Sequence, residues 1–406
     1  MLPWRYVATL QAPPSSPAIV PSVSLGANGA GVVAAGGWPD VAKTGVAETY
    51  SATAPGNLFS LPSVENPPAA PHSPSMCVNL PSSFGTSVAI AGGVSAVGAP
   101  YSPPGSQMSA NPCYWGYVSV FQRYAGGWAV FQNLTPKLTQ QDDVSDLNSQ
   151  GGGFDFGHSV ALNANYLVVG AYEFADFTGR VFVFQWTDLP DSSPNHPNFG
   201  IWHFAQIAEL QESPEGHESY FGDTVLIDGN TIAVTRPGEP GGSESPAGRE
   251  GKVYLYTFTG STWTAPLLYL RDPMATSHDG FGFAAALSGD TLAVRIQGSS
   301  GSPNVPGVPS SVWGYVGGSK TKVWNVDNID GSGGSGSVAV SAQNLVIGEP
   351  ALNRVQIFDR TNPTTLGSAL IRTPPAGHTG FGSKVALLGN TLLVSTSDGA
   401  ILEYVR

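Results

Sequence analysis

The sequence predicts an all-β fold, a seven-bladed β-propeller of four-stranded blades whose ring is closed by an N-terminal strand that completes the last blade. Three observations predict this fold. Seven similar segments recur along the 406 residues, each segment carries the pattern of several short strands, and the last segment stops one strand short of a full blade. Regular repeats of four short strands are typical of propellers.

A Phe-Gly pair opens five of the seven segments. Each pair leads into a hairpin pattern, with an alternating strand, a turn of Asn, Gly or Asp, and a second apolar strand. Two weaker copies, from Val23 to Pro39 and from Gly336 to Pro350, lack the phenylalanine. The five pairs begin at Phe84, Phe156, Phe221, Phe281 and Phe381.

Two more strands follow each hairpin. The third alternates clearly, as in GRVFVFQW from Gly179, and the fourth tends to begin with tryptophan, as at Trp128, Trp202 and Trp263. Four strands per repeat make one propeller blade.

The two ends of the chain complement each other. The last repeat ends at Arg406 after its third strand, and Trp4 to Leu10 matches a tryptophan-led fourth strand. Pairing them would remove two exposed sheet edges. We therefore predict one domain over residues 1–406. Residues 1–12 form the closing strand, and blades 1 to 7 span 19–80, 81–145, 150–213, 217–273, 277–328, 332–374 and 377–406.

Composition argues against several partners. Charged residues make up only 11% of the chain, and the formal net charge is −12. Binding to nucleic acid or an anionic membrane needs clustered Lys and Arg, so neither partner is expected. The N-terminal residues lack a basic segment followed by an apolar one, and no apolar run approaches membrane-spanning length. We expect neither a signal peptide nor a transmembrane segment.

The motif that begins at Phe84 resembles the FG-GAP repeat family, best known from integrin α-subunit propellers. The resemblance rests on Phe-Gly-Thr-Ser-Val-Ala and on Val-Gly-Ala-Pro, which ends at Pro100. It implies a propeller fold in which the phenylalanine packs between blades and glycine relieves crowding. The motif is therefore interpreted as structural.

Members of that family often carry a calcium loop of the Asp-x-Asp-x-Asp-Gly type, whose oxygen ligands suit a hard cation. The nearest approaches here are residues 327–331 and the group Asp142, Asp143 and Asp146, and neither has the required spacing. We expect no metal site and no cofactor, with Ca²⁺ kept as the alternative. Cys77 and Cys113 are the only cysteines; a disulfide and two separate thiols both stay open.

No motif predicts catalysis. The chain has no serine nucleophile elbow, phosphate loop or paired-cysteine zinc pattern. Three histidines, His217, His278 and His378, precede a Phe-Gly pair by three or four positions, which favours a repeated scaffolding role, a hydrogen bond to the next blade. We therefore predict no catalytic residues and no enzymatic activity. Glycoside processing stays as an alternative, since it needs only two suitably placed carboxylates.

Aromatic residues in loops are the candidate ligand contacts, because such rings stack on sugars and anchor protein partners. Trp38, Tyr101 and Tyr172 follow the second strand of their blades, where the connecting loops open onto one face. Long Gly-, Pro- and Ser-rich insertions fall on the same face, as at 101–114 and 236–251. We predict that these three residues bind the ligand.

The leading hypothesis is a noncatalytic binding or assembly module. Its predicted setting is a virion or phage tail component, or another extracellular surface, that mediates protein–protein contact or attachment to a host. The first alternative is a glycan-binding lectin or adhesin of cellular origin, and the second is a glycoside-processing enzyme. The expected partners are proteins of an assembly or a cell-surface glycan.

Overall fold

The computed structural model contains seven four-stranded antiparallel sheets arranged as a seven-bladed β-propeller, which confirms the predicted fold. In the described part of the chain, no helix is long and apolar enough to cross a lipid bilayer. The structure describes residues 4–10, 20–28, 31–39, 45–52, 63–65, 83–100, 116–124, 127–136, 155–174, 178–189, 201–212, 220–237, 251–264, 266, 268–271, 280–298, 310–319, 321–329, 336–360, 362 and 364–406.

Strand β1 (Arg5–Leu10) precedes blade 1. Within each of blades 1 to 3, four consecutive strands pair in chain order. Blade 1 has β2 (Ser22–Asn28), β3 (Gly31–Trp38), β4 (Val46–Ala52) and β5 (Ser63–Glu65). Blade 2 has β6 (Ser87–Ala91), β7 (Val94–Ala99), β8 (Tyr117–Tyr124) and β9 (Gly127–Leu134). Blade 3 has β10 (Ser159–Leu162), β11 (Tyr166–Ala171), β12 (Arg180–Leu189) and β13 (Ile201–Leu210).

Blades 4 to 6 repeat this order, and a 3₁₀ turn at Pro350–Leu352 lies in blade 6. Blade 4 has β14 (Val225–Asp228), β15 (Thr231–Arg236), β16 (Lys252–Thr257) and β17 (Leu268–Arg271). Blade 5 has β18 (Phe281–Ser288), β19 (Thr291–Ile296), β20 (Ser311–Val316) and β21 (Trp324–Asp327). Blade 6 has β22 (Val338–Val340), β23 (Asn344–Glu349), β24 (Arg354–Asp359) and β25 (Leu370–Arg372).

Blade 7 is built from both ends of the chain. It has β26 (Val385–Leu388), β27 (Thr391–Ser395) and β28 (Ile401–Val405), and β1 supplies the fourth strand by pairing antiparallel with β28. Trp4 is buried, and its carbonyl accepts a hydrogen bond from Arg372 of blade 6. The predicted closure of the ring by an N-terminal strand is confirmed.

The first strand of each blade is the innermost one. Strands β2, β6, β10, β14, β18, β22 and β26 each contact the first strands of both neighbouring blades, and β26 returns to β2. They therefore surround a central channel. Residues of the Phe-Gly segments lie at one end of this channel, the FG end, and the turns between the first and second strands lie at the other, the hairpin end.

The phenylalanines of the motif are core residues between blades, as predicted. All five have no exposed surface. Phe156, for example, packs on Val118 and Val120 of blade 2 and on Phe182 and Phe184 of its own blade. Burying an aromatic ring of this size makes a large hydrophobic contribution to stability.

The glycine of the Phe-Gly pair and the glycine of the Val-Gly-Ala-Pro segment meet at the contact between blades. Gly157 has a φ of +97° and packs its backbone against Gly98, near the end of the second strand of the preceding blade. A Cβ atom at Gly98 would lie 2.0 Å from the carbonyl oxygen of Gly157 and 2.3 Å from Oγ of Ser87. Only glycine leaves room for this close approach.

The serine of the motif reinforces the same contact. The hydroxyl of Ser87 donates to the Gly157 carbonyl of the next blade at 2.8 Å. Ser22 donates likewise to Gly85 at 2.7 Å, and Ser159 donates to Gly222 at 2.9 Å. The motif thus encodes the blade-to-blade junction itself.

Some details differ from the sequence prediction. Trp263 lies ahead of β17 and forms an isolated bridge with Phe258 instead of opening the fourth strand. The imidazole Nδ1–H of His378 donates a hydrogen bond at 2.8 Å to Asp398 of its own blade. Its link to blade 6 runs through its carbonyl, which accepts from Asn353. His217 and His278 lie outside the described residues, as do both cysteines.

Candidate functional site

The three predicted ligand contacts fall in different surroundings. Trp38 ends β3 with no exposed surface. Its indole N–H donates at 2.8 Å to the carbonyl of Gly399 in blade 7. Trp38 therefore links blades 1 and 7 where the ring closes. Tyr101 lies outside the described residues.

Tyr172 is half-buried at the FG end, directly after β11. Its ring lies 4.2 Å from the His158 ring, centroid to centroid, and stacks on Tyr220 at 5.9 Å. Its hydroxyl donates to Glu173 at 2.9 Å. Tyr172 is thus the centre of a group of aromatic and acidic side chains.

We name this group the channel-mouth cluster. It joins the loop after β11 with the residues that flank two consecutive Phe-Gly pairs, and Lys384 faces it from blade 7. Its members are Asp155, His158, Tyr172, Glu173, Tyr220 and Asp223.

Lys384 shows where the cluster lies. Its charge acts on both His158 of blade 3 and Asp223 of blade 4. Blade 7 is three blades away from each of them around the ring, so these side chains face one another across the central channel. The cluster therefore borders the mouth of the channel.

Backbone conformation marks two members of the cluster. The residue before each described Phe-Gly pair has a positive φ, and blades 5 and 7 use glycine there, Gly280 and Gly380. Blades 2, 3 and 4 instead hold Ser83 at +49°, Asp155 at +47° and Tyr220 at +54°. A left-handed conformation costs a non-glycine residue about 1 kcal/mol or more. Asp155 and Tyr220 therefore carry side chains at positions where the backbone conformation favours glycine.

Asp155 is the most perturbed acid of the cluster. Burial, with repulsion from Glu173, raises the pKa of its carboxyl to about 7. Asp155 is 4% exposed, and its Oδ1 has no hydrogen-bond partner among the described residues. A buried acceptor without a partner is costly.

His158 and Asp223 form a second polar pair. His158 Nε2 lies 3.7 Å from Asp223 Oδ1. The His158 side chain is 29% exposed to solvent and the Asp223 side chain is 26% exposed. Protein surrounds them on most sides, so burial lowers the pKa of His158 and raises that of Asp223, each against their mutual attraction. Burial therefore disfavours the charged form of each of these two side chains.

Asp155 makes folding stability depend on pH. The folded chain keeps a proton up to about pH 7, whereas the unfolded chain releases it near the ordinary pKa of 3.8. The stability contribution of this carboxyl is therefore full below about pH 4 and is lost as the pH rises to about 7. Asp155→Asn should be more stable than the native protein at pH 8, by about 1 kcal/mol or more, and not at pH 4. Urea denaturation at both pH values measures this, and a pH-independent difference would contradict it.

The described residues hold no group of three or more potential metal ligands. The predicted calcium loop candidates fall largely outside the described ranges, because Asp142, Asp143, Asp146 and Asp330 are not among them. Asp327 is described and closes β21, followed by Asn328 at a φ of +58°. The calcium alternative therefore stays untested.

Sequence reasoning singled out Tyr172 as a candidate and did not single out Asp155, His158, Tyr220 or Asp223, which lie around it. They flank the Phe-Gly pairs, which were interpreted only as scaffold. A usable signal existed, because the residue after each pair varies from Thr86 to His158, Asp223, Phe283 and Ser383. Variable positions next to an invariant scaffold pair point toward the channel mouth.

The fold defines the chain as a seven-bladed β-propeller of a kind compatible with a binding or assembly module. No protein-family model matches the chain, and no curated protein matches its sequence.

Proposed function

We propose that this protein is a noncatalytic binding module that attaches to a surface glycan, and that a saccharide unit binds at the channel-mouth cluster. One observation carries the proposal. The half-buried rings of Tyr172 and Tyr220 lie beside the acids Asp155, Glu173 and Asp223 at the FG end of the channel.

This combination suits the chemistry of a sugar. Tyrosine rings stack on the apolar face of a pyranose. Carboxyl groups accept hydrogen bonds from its hydroxyls, and Glu173 and Asp223 keep part of their surface exposed for such bonds. Three acids against a single facing lysine, Lys384, disfavour an anionic sugar. A neutral hexose is the expected unit.

The wider setting is also a proposal. We place this binding in a virion or phage tail component, or at another extracellular surface, where the protein contacts assembly partners and attaches to a host. The low content of charged residues and the net charge of −12 support a protein or glycan partner over nucleic acid. The resemblance to FG-GAP propellers, known from integrin adhesion receptors, supports a role in adhesion.

A glycan array tests the proposal. The native protein is compared with Tyr172→Ala and with the control Tyr124→Ala, whose side chain is 51% exposed on the rim of blade 2. We expect selective binding that Tyr172→Ala abolishes and Tyr124→Ala preserves. A blank array, or equal binding by both variants, would reject the proposal. A parallel run with a calcium chelator tests the calcium alternative.

Glycoside processing is the second candidate, favoured by the raised pKa of Asp155. A carboxyl group that keeps its proton near neutral pH can act as a general acid. Incubating each array-positive glycan with the protein and measuring new reducing ends separates the two functions. Binding without cleavage supports the module, and cleavage lost in Asp155→Asn supports the enzyme.

Tyr220 separates ligand binding from folding. Tyr220→Gly relieves the strain of the positive φ while it removes the ring that stacks on Tyr172. We expect the unfolding free energy to change by less than ~1 kcal/mol, because the two effects oppose each other. Glycan affinity, measured by calorimetry, should fall about tenfold. A large loss of stability with unchanged affinity would contradict this role.

A further inference from the structure

A cavity of about 430 Å³ lies between blades 4 and 5 at the hairpin end, away from the channel-mouth cluster. Thr231 and Leu255 line it from blade 4, and Leu287, Asp290 and Tyr315 line it from blade 5. Its size is that of a small-molecule site. At four other contacts between blades, a side chain from the end of the third strand reaches across to the preceding blade.

A common position recurs at the end of the third strand. Its backbone N–H donates to the carbonyl in the hairpin turn of the same blade. We call it the plug position, and it is held by Arg123, Trp186, Phe258, Gly317, Arg360 and Arg406 in blades 2 to 7.

At four contacts the plug side chain reaches the preceding blade. Two plugs are aromatic: Phe258 lies 5.5 Å from the ring of Tyr166, and Trp186 lies 5.4 Å from that of Phe131. The other two are guanidinium groups that donate hydrogen bonds. Arg360 donates to the hydroxyl of Thr291 at 2.8 Å, and Arg406 donates to Oδ1 of Asn344 at 3.1 Å.

Between blades 4 and 5 the plug is missing, because Gly317 has no side chain and nothing lies within 4 Å of its would-be Cβ. The cavity occupies this contact. For three of the four plugs the partner is the first residue of the second strand in the preceding blade: Tyr166 for Phe258, Thr291 for Arg360 and Asn344 for Arg406. Trp186 instead contacts Phe131 in the fourth strand, β9. At the contact between blades 4 and 5 the equivalent residue is Thr231, the first residue of β15. Its hydroxyl corresponds to that of Thr291, which accepts from an arginine.

The negative charge of Asp290 also favours an arginine-like group in the cavity. Asp290 lines the cavity, and its carboxylate already attracts the guanidinium of Arg360 across the next blade contact. Leu255, Leu287 and Tyr315 supply apolar walls and an aromatic ring for the flat faces of the group. Arginine-like groups pair well with a carboxylate and an aromatic face at once.

We propose that this cavity binds a guanidinium group, which takes the place of the missing plug by donating to the Thr231 hydroxyl and pairing with Asp290. The group comes either from a small guanidino compound or from an arginine side chain of a partner chain. The site is independent of the glycan proposal, because it shares no residue with the channel-mouth cluster.

The test is a calorimetric or NMR titration of the full chain with ethylguanidinium chloride and with ethylurea, its neutral counterpart of similar shape. We expect ethylguanidinium to bind about tenfold more tightly, since charge-assisted hydrogen bonds are the stronger ones. Thr231→Val and Asp290→Asn should each remove the preference. Asp327→Asn, the same change at an exposed residue that ends β21 in blade 5 and lies outside the cavity lining, should keep it.

Equal affinity for the two probes would overturn the proposal, as would unchanged binding in Thr231→Val when thermal melting shows that the variant is folded. A third probe, N-acetyl-arginine methylamide, separates the two sources. If it binds at least as tightly as ethylguanidinium, the cavity takes an arginine side chain. If only ethylguanidinium binds, the cavity takes a small guanidino compound.

Discussion

Gly98→Ala is expected to destabilise the protein by about 3 kcal/mol or more. The new Cβ would lie 2.0 Å from the carbonyl oxygen of Gly157 and 2.3 Å from the hydroxyl of Ser87. One of these neighbours is backbone of the next blade, so relief requires blades 2 and 3 to separate. Overpacking against rigid backbone reaches or exceeds the upper end of the usual penalty. Urea denaturation of the purified variant measures the loss.

Gly93→Ala is the matched control for that variant. Gly93 lies in the hairpin turn of the same blade, and its added Cβ would meet only the side chain of Arg123, at 3.8 Å. We expect a change within ~0.5 kcal/mol. Similar effects of the two alanines would show that the glycine of the Val-Gly-Ala-Pro motif does not hold the blade junction.

Phe156→Ala should cost about 3 to 5 kcal/mol, since it empties a fully buried aromatic site between blades 2 and 3. Tyr124→Ala, on the exposed rim, removes an aromatic ring of similar size and should cost less than ~0.5 kcal/mol. The comparison uses the same denaturation assay. A cost below ~1 kcal/mol for Phe156→Ala would be incompatible with its position in the core.

The fold could be predicted from the sequence because each repeat carries its own junction. Phenylalanine, glycine and serine of the motif all act at the contact with a neighbouring blade, as Phe156, Gly157 and Ser87 show. Ring closure followed because the strand missing at the C-terminus has a match near Trp4. The residues that form the repeated sequence pattern are the same residues that form the contacts between blades, so the pattern was sufficient to predict the propeller.

The site was predicted less well because it depends on distances between repeats. Trp38 and Tyr172 have the same sequence context, at the end of a second strand or just after it, yet Trp38 points into the contact with blade 7 and Tyr172 borders the channel. The meeting of His158, Asp223 and Lys384 requires three blades to be placed around one axis. The raised pKa of Asp155 depends on burial that no spacing reveals.

Hydrogen–deuterium exchange with a bound saccharide tests most directly whether the channel mouth is the binding site. An array-selected glycan is added at saturation, and amide exchange is compared with and without it. The account predicts protection in peptides covering residues 155–159, 172–174 and 220–224, and none at the hairpin end. Protection confined to the hairpin end or the outer strands, with these peptides unchanged, would contradict it.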